Sequence, residues 1–358
     1  MKKTVQIIIG LILGVLLLWW VFRDTDWAEV WGALRKVHWG WLAVAELFVL
    51  ISFVIRILRW RYIVRTAKPV SFRSMFSATQ IGFMANFILP GRAGEVIRAL
   101  VLSRLEKIPF SKCFAFVALD RLTDLFGMLT AMLVAVLAFH PTQAVTVGPE
   151  AHFPEWASPL LQPHAIRTAA LSATVFMLAV VAAFAVLYLN QRLVLRWTER
   201  LLGLASQRLA ARVTAMLGHF AEGMHVFRSA ADMAKSLGFS LMTWGCFVVT
   251  FWTLFRAFGL TMTWYTPFFT LSLVAVVISL PGAPGFVGQY HAAIWAAMLI
   301  CSPEINSNVV RAVAIMGHLI NLVPVMVVGV YCLQMEKLGL ITLRREGEAV
   351  EVEGIPTE

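Results

Sequence analysis

The feature that most constrains this chain is a series of long, nearly uncharged apolar runs, at Val5–Phe22, Trp39–Val64, Cys113–Phe139, Ile166–Leu189, Leu237–Phe258 and Val309–Leu333. About 20 apolar residues are what a helix needs to cross the hydrocarbon core of a bilayer. In lipid only helices and closed barrels satisfy their own backbone. Only 14% of the residues are charged, against about 25% in a soluble domain. The expected fold class is therefore all-α, a polytopic transmembrane helical bundle with about six full spans. The first run is too long for a signal-peptide core of about 7–15 residues. Arg23-Asp24-Thr25-Asp26-Trp27 stands where a small-residue cleavage site would be, so a retained span is expected.

Two further stretches, Ser74–Arg104 and Tyr265–Ile300, read differently. Each has two short apolar halves broken by a Pro-Gly cluster, Leu89-Pro90-Gly91-Arg92-Ala93-Gly94 in the first and Leu280-Pro281-Gly282-Ala283-Pro284-Gly285 in the second. Proline removes a backbone donor and glycine tolerates irregular angles, so a helix stops or turns there.

Charge sets the expected orientation. Lys2 and Lys3 precede the first run; Arg59, Arg61, Arg65, Lys68 and Arg73 follow or end the second. Arg104, Lys107 and Lys112 follow the first broken stretch, and Arg192, Arg196, Arg200, Arg208 and Arg212 follow the fourth run. The stretch His140–His164 holds Glu150 and Glu155 and no Lys or Arg. The positive-inside rule then predicts a multi-pass protein of the cell (inner) membrane with both termini in the cytoplasm. On that topology each broken stretch starts and ends on one side, the first cytoplasmic and the second outer. Parity permits either a re-entrant hairpin or two crossings; the short or polar halves (Ser74, Ser77, Thr79, Gln80, Asn86) suit re-entry better. Breaks in opposite senses suggest an inverted repeat, and broken elements in corresponding halves are a sequence pointer to a transporter's binding site.

Residues 1–335 are expected to form one membrane domain and 336–358 a short cytoplasmic tail, acidic from Gly347 to Glu358. Within 191–230, Leu193, Trp197, Leu201, Leu204 and later apolar residues recur at helical steps, with Arg192, Arg196 and Arg200 on another face. This is an amphipathic cytoplasmic helix, either packed under the bundle or recruiting lipid. The net charge of +10 would raise nucleic acid as a partner in a soluble protein. Here the bases fall between apolar runs, where topology and anionic headgroups account for them.

The sharpest candidate site is Asn86, Pro90, Gly91, Arg92, Gly94, Glu95 and Arg98. A helix restarting near Arg92 would present unpaired N–H groups and a positive dipole end to an anion, and Arg92 adds a fork-shaped donor suited to phosphate. Glu95 and Arg98 are spaced to pair within that helix. Charges at membrane depth are expensive and functional by default, though mutual neutralisation is the plainer alternative. A second constellation, Asp120-Arg121-Leu122-Thr123-Asp124, lies roughly 12–18 Å into the third full span at the helical rise. Asp120 and Asp124 share a helix face and need a cation, for which Arg92 or Arg98 is the natural candidate. They serve either proton coupling or a structural ion-pair cluster. The second tip, with Pro281, Gly282, Pro284, Gly285 and Gln289, has no charge and offers backbone groups. Arg56, Arg59 and Arg61 read as snorkelling anchors or headgroup contacts, and His318 as a hydrogen-bonded packing residue. Cys113, Cys246, Cys301 and Cys332 stand singly and read as packing residues. No GxxxxGK[ST], HExxH or GxSxG motif is present, and no cofactor or metal is expected.

The run NFILPGRAGEVIR (Asn86–Arg98), the LDRLTD element (Leu119–Asp124) and LPGAPGFVGQY (Leu280–Tyr290) together resemble the flippase-like membrane domain of lysylphosphatidylglycerol synthases and its stand-alone relatives, from the first span to about Leu333. That resemblance implies a helical bundle with re-entrant elements and lipid translocation by Arg92, Glu95, Asp120, Arg121 and Asp124. The family more usually has Glu at the position of Asp120. Its bifunctional members continue into a lysyl-transferring domain, whereas this sequence stops at Glu358, so aminoacyl transfer is not expected. The leading expectation is a transporter of an anionic lipid, a phospholipid or polyprenyl phosphate. The alternatives are a membrane-embedded lipid-modifying enzyme and a non-catalytic partner of a membrane glycosyltransferase or lipid-synthesis enzyme.

Overall fold

The computed structural model describes residues 2–65, 68–89, 93–139, 189–204, 230–280, 282–344 and 346, with scattered positions among 162–186 and 206–218. Outside these fall Pro90, Gly91, Arg92 and Pro281 of the two breaks. Much of the expected span Ile166–Leu189, of the stretch His140–His164 and of the segment after Leu204, and all of the tail Gly347–Glu358, also lie outside them. Among the described residues all regular structure is helical.

The helices are α1 (Lys2–Phe22), α2 (Trp27–Arg35), α3 (Trp39–Val64), α4 (Phe72–Ile88), α5 (Gly94–Glu106), α6 (Phe110–Ala138), α7 (Gln191–Gly203), α8 (Ala230–Ala257), α9 (Thr266–Ser279), α10 (Gln289–Cys301) and α11 (Ser307–Met335). The helices α3, α6, α8 and α11 are each long and apolar enough to cross a membrane. The pair α1 and α2, bent by 87°, supplies a fifth candidate span. Five of the six expected spans thus correspond to helices, and the sixth, Ile166–Leu189, falls largely outside the described residues. Caps mark several starts. Asp26 accepts from the Ala28 and Glu29 N–H groups, Ser71 from Ser74, and Asn306 from Asn308 and Val309, each satisfying donors that a first turn leaves open.

A long helix, two short ones and a second long one occur twice in this order. The helices α3, α4, α5 and α6 have 26, 17, 13 and 29 residues; α8, α9, α10 and α11 have 28, 14, 13 and 29. The two leading helices run antiparallel, since Trp41 packs on Trp252 and Tyr62 on Phe239, while Arg65 pairs with Asp232 at 2.6 Å. The two units are therefore inverted with respect to each other.

Each pair of short helices is a hairpin whose base and tip are identifiable from its neighbours. In the first, Ser71 N–H at the start of α4 donates to Glu106 at the end of α5. Gly82 lies against Gly94 and Arg98 so closely that a side chain there would strike the facing helix. In the second, Gln289 at the start of α10 donates from Nε2 to the Val277 and Leu280 carbonyls at the end of α9, at 2.9 and 3.3 Å.

The 29-residue helix α11, about 44 Å long at 1.5 Å per residue, measures how deep each hairpin reaches. Near its C-terminal end Glu336 accepts from Ser77 and Arg73 at the base of the first hairpin, and Gly329 packs on Met84. Near its N-terminal end Ser307 accepts from Trp295 of the second hairpin, and close to its middle His318 Nε2 lies 2.8 Å from the Gly285 carbonyl at that hairpin's tip. The hairpins enter from opposite ends and stop partway, which selects re-entry over double crossing.

The two ends of the bundle differ in charge. One carries Arg61, Arg65, Lys68, Arg73, Arg104, Lys107, Lys112, Lys337 and Arg344 and is laced by Lys68–Glu106, Arg73–Glu336 and Arg104–Glu346 pairs. At the other, Glu29 of α2 accepts from Asn306 and Asn308, and buried Arg311 donates to the Val21 carbonyl that ends α1.

Candidate functional site

Where the first hairpin meets α3 and α6, seven charged side chains come together. Arg59 of α3, fully buried, donates from Nε to Asp120 at 2.9 Å and from Nη1 to Asp124 at 2.6 Å. Arg98 of α5 donates to the other oxygen of Asp120 at 2.7 Å. Its guanidinium carbon sits 3.7 Å from the centroid of the Trp60 ring, a cation–π contact that partly replaces lost hydration. Trp60 is itself fixed by a bond from Nε1 to the Phe116 carbonyl. Arg121 reaches Glu95 at 2.9 Å and Asp124 at 3.3 Å, and Trp244 of α8 donates to Asp124 at 3.1 Å.

Burying ions takes away hydration that only partners and hydrogen bonds can replace. The inner part of the cluster meets that demand in part: Arg59 is bonded to both aspartates, whereas Arg98 has one bond, to Asp120, and leaves its buried Nε and Nη2 without a hydrogen-bond partner. The outer part is less closed: Arg56 stands 4.0 Å from Asp124, between the rings of Phe83 and Phe247, each 5.1 Å away. Four arginines (56, 59, 98, 121) face three carboxylates (95, 120, 124), so the described cluster carries one positive charge in excess.

That outer part lines a cavity of about 630 Å³. Its polar corner is formed by Arg56, Asn86, Glu95, Arg121 and Asp124. Its remaining wall is largely apolar, from Val49 and Phe53 of α3 through Leu125 and Met128 of α6 and Phe251 of α8 to Leu271 and Val274 of α9. Both hairpin tips close it, through Phe87 and Phe286, and Ser279, Tyr290 and Asn321 add a neutral polar patch by the second tip. Asn321 donates to the Tyr290 hydroxyl at 2.9 Å. A volume in this range, apolar with a few convergent polar groups, suits a bound small molecule or part of a larger amphiphile.

The residues expected from sequence divide into groups. Asn86, Glu95, Arg121 and Asp124 line the cavity; Arg98 and Asp120 stand behind them, each 1% exposed. Pro90, Gly91, Arg92 and Pro281 lie outside the described residues. Gly282, Pro284, Gly285 and Gln289 build the second tip but are not on the cavity wall.

Four expectations are corrected. Glu95 and Arg98 do not pair with each other; they leave α5 in different directions, Glu95 to Arg121 and Arg98 to Asp120. The first N–H of α5 is not open to an anion, because Gly94 N–H donates to Asn86 Oδ1 at 2.9 Å. Gln289, a candidate binding residue of the second tip, ties the end of α9 and does not line the cavity. Arg59 is not a snorkelling anchor: α3 presents it inward, to acids 61 and 65 positions away in sequence. Arg56, one helical turn before it and read as an anchor or a headgroup contact, is a cavity residue left out of the expected site. Its signal was a guanidinium inside an apolar run, three residues before Arg59. His318 is the hydrogen-bonded packing residue expected, bonded to the Gly285 carbonyl.

The sequence pattern of the lysylphosphatidylglycerol synthase TM region matches residues 7–329, which takes in both breaks and the whole charge cluster. The chain belongs to that family. This membrane protein is similar over 97% of its length to the glycosyltransferase AglD of Haloferax volcanii, at 25% identity; the match covers 57% of AglD. It is 29% identical to a UPF0104 membrane protein of Pyrococcus horikoshii over 38% of this chain and 41% of that protein. A UPF0104 membrane protein of Methanocaldococcus jannaschii is 31% identical over 22% of this chain and 26% of its own length. The chain thus spans less than two thirds of each of these relatives.

Proposed function

We propose that this protein transports an anionic lipid, a phospholipid or polyprenyl phosphate, between the two leaflets of a cell membrane. The headgroup is held at Arg56 and Arg121 while the apolar portion occupies the wall formed by α6, α8 and α9. The observation that carries this reading is the joining of a charged corner, part of a cluster with one positive charge in excess, to an apolar chamber where two inverted, partway hairpins meet. Guanidinium groups suit phosphate geometry, and the uncancelled positive charge favours a ligand that brings a negative one. Discontinuous helices at the interface of inverted repeats are where secondary transporters place their sites. The positive-inside rule assigns the basic end, and with it both termini, to the cytoplasm. Arg98, Asp120 and Arg59 then serve as the fixed foundation of the site. Gly94, Gly282, Pro284, Gly285 and Gln289 serve by shaping the two tips.

Reconstitution into liposomes tests the assignment. Leaflet exchange of a labelled anionic phospholipid, followed by dithionite quenching, is expected for the wild type. It is expected to fall to background in Arg56→Ala and Arg121→Ala variants that retain the fold. Wild-type exchange in both variants rules the site out.

A second reading comes from the similarity to a protein named a glycosyltransferase over nearly the whole chain. In it the chain is a membrane component that presents a lipid-linked substrate to a glycosyltransferase, and is either its non-catalytic partner or part of the modifying enzyme. Purified protein that turns over a labelled lipid without moving it would favour the enzyme; co-purification with a transferase would favour the partner.

A further inference from the structure

The helix α7 carries a surface that the cavity and its charges leave unexplained. Its outer side holds Leu193, Trp197, Leu201 and Leu204, exposed by 51, 54, 61 and 88%. At 3.6 residues per turn these four occupy a sector of about 80°, and Arg192, Arg196 and Arg200 fill the adjoining sector of about 80°. Val194, Leu195, Thr198 and Leu202 are half-buried on the protein side, and Val194 packs on the apolar cluster that contains Ile63, Val64 and Leu343, at the basic end of the bundle. Among the described residues the three arginines make no ion pair.

Water is a poor neighbour for four large apolar side chains in one row, and a nucleic acid or a soluble acidic partner would match the arginines alone. A row of guanidiniums flanking an apolar stripe matches the boundary between phosphates and acyl chains, where long cationic side chains reach up to the headgroups and the apolar ones point down. We infer that α7 lies in the plane of the leaflet at the basic end, with Leu193, Trp197, Leu201 and Leu204 in the acyl boundary and Arg192, Arg196 and Arg200 on anionic lipid phosphates. The helix thereby couples the protein to the anionic lipid content of that leaflet, independently of what the central cavity binds.

The test uses the full chain with Cys113, Cys246, Cys301 and Cys332 replaced, a single bimane label at Trp197→Cys or, as a second reporter at a more exposed position, Leu204→Cys, and vesicles of phosphatidylcholine with or without phosphatidylglycerol. Quenching is read with iodide from the water and with nitroxide-bearing lipid from the bilayer. Both labels are expected to be shielded from iodide and quenched by the nitroxide lipid, more strongly when phosphatidylglycerol is present. Arg192→Gln, Arg196→Gln and Arg200→Gln together should remove the response to phosphatidylglycerol and raise iodide quenching about twofold or more. Iodide quenching equal to that of a label on a water-facing loop would overturn the proposal. So would shielding from both quenchers, which would mean that protein, a partner or a second copy, covers the stripe. An unchanged response in the triple variant would overturn the assignment to the arginines.

Discussion

Phe87 of the first hairpin and Phe286 of the second meet edge to face, with ring centroids 5.4 Å apart. These rings come from elements that enter the bundle from opposite ends, and their contact forms the floor shared by the two halves. The second tip is held from behind as well: His318 contacts the Gly285 carbonyl, and Gly10 and Gly14 of α1 lie directly against Gly282, Ala283 and Gly288. Phe286 itself has φ +55°, a left-handed conformation unfavourable for an aromatic residue, which the surrounding contacts maintain.

If the tips meet in the membrane-embedded protein, cysteines at positions 87 and 286 in a background without native cysteines will be joined by a short thiol cross-linker. The expected outcome is a faster-migrating band on non-reducing gels. A pair at 87 and 341, the latter at the basic end, should not react.

Removing Arg59 leaves Asp120 with Arg98 alone and Asp124 without its shortest partner. Breaking a buried ion pair from one side costs about 3–5 kcal/mol. Arg59→Leu should therefore lower the thermal midpoint in detergent by a large margin, and Arg59→Lys should recover part of the loss, because one ammonium cannot reproduce the bonds to both acids. Equal stability of Arg59→Leu and the wild type would contradict the cluster.

The glycines divide by what faces them. Gly288 has φ +83°, and a β-carbon there would run into the backbone of Gly14, so Gly288→Ala should destabilise by at least the 1–3 kcal/mol typical of overpacking. Gly32 in α2 has nothing within 4 Å; Gly32→Ala should be neutral or stabilise by up to about 1 kcal/mol through helix propensity. Denaturation followed by fluorescence would separate the two.

Arg56 and Arg121 differ from Arg98 in facing the cavity, so their loss should weaken ligand binding more than folding. Arg56→Ala or Arg121→Ala is expected to lower the anionic lipid retained through mild-detergent purification about tenfold, equivalent to 1.4 kcal/mol. Arg98→Ala should instead reduce the yield of folded protein. Native mass spectrometry gives both quantities in one measurement.

Most of the helices were legible in the sequence, although α2 was not foreseen and α8 starts seven residues ahead of the expected Leu237. Trp39–Val64 coincides with α3, and both Pro-Gly clusters mark real breaks. The candidate site was only half legible. Asp120, Arg121, Asp124, Glu95 and Asn86 were visible as polar residues inside apolar or broken stretches, but Arg56 and Arg59 read as boundary anchors because they stand near a cluster of bases at the end of a run.

Membrane residence, helical class and the positions of the two breaks follow from local properties of the chain: hydropathy over some twenty positions, the missing donor of proline and the freedom of glycine. Such properties act along one segment and need no partner. Tertiary structure alone decided that the hairpins stop partway and touch. It also decided that Arg59 faces inward to acids more than sixty positions away and that Asn86 closes the helix end expected to await an anion. Each of these depends on how a helix is rotated about its own axis against its neighbours, which packing across the whole bundle sets and no single segment contains.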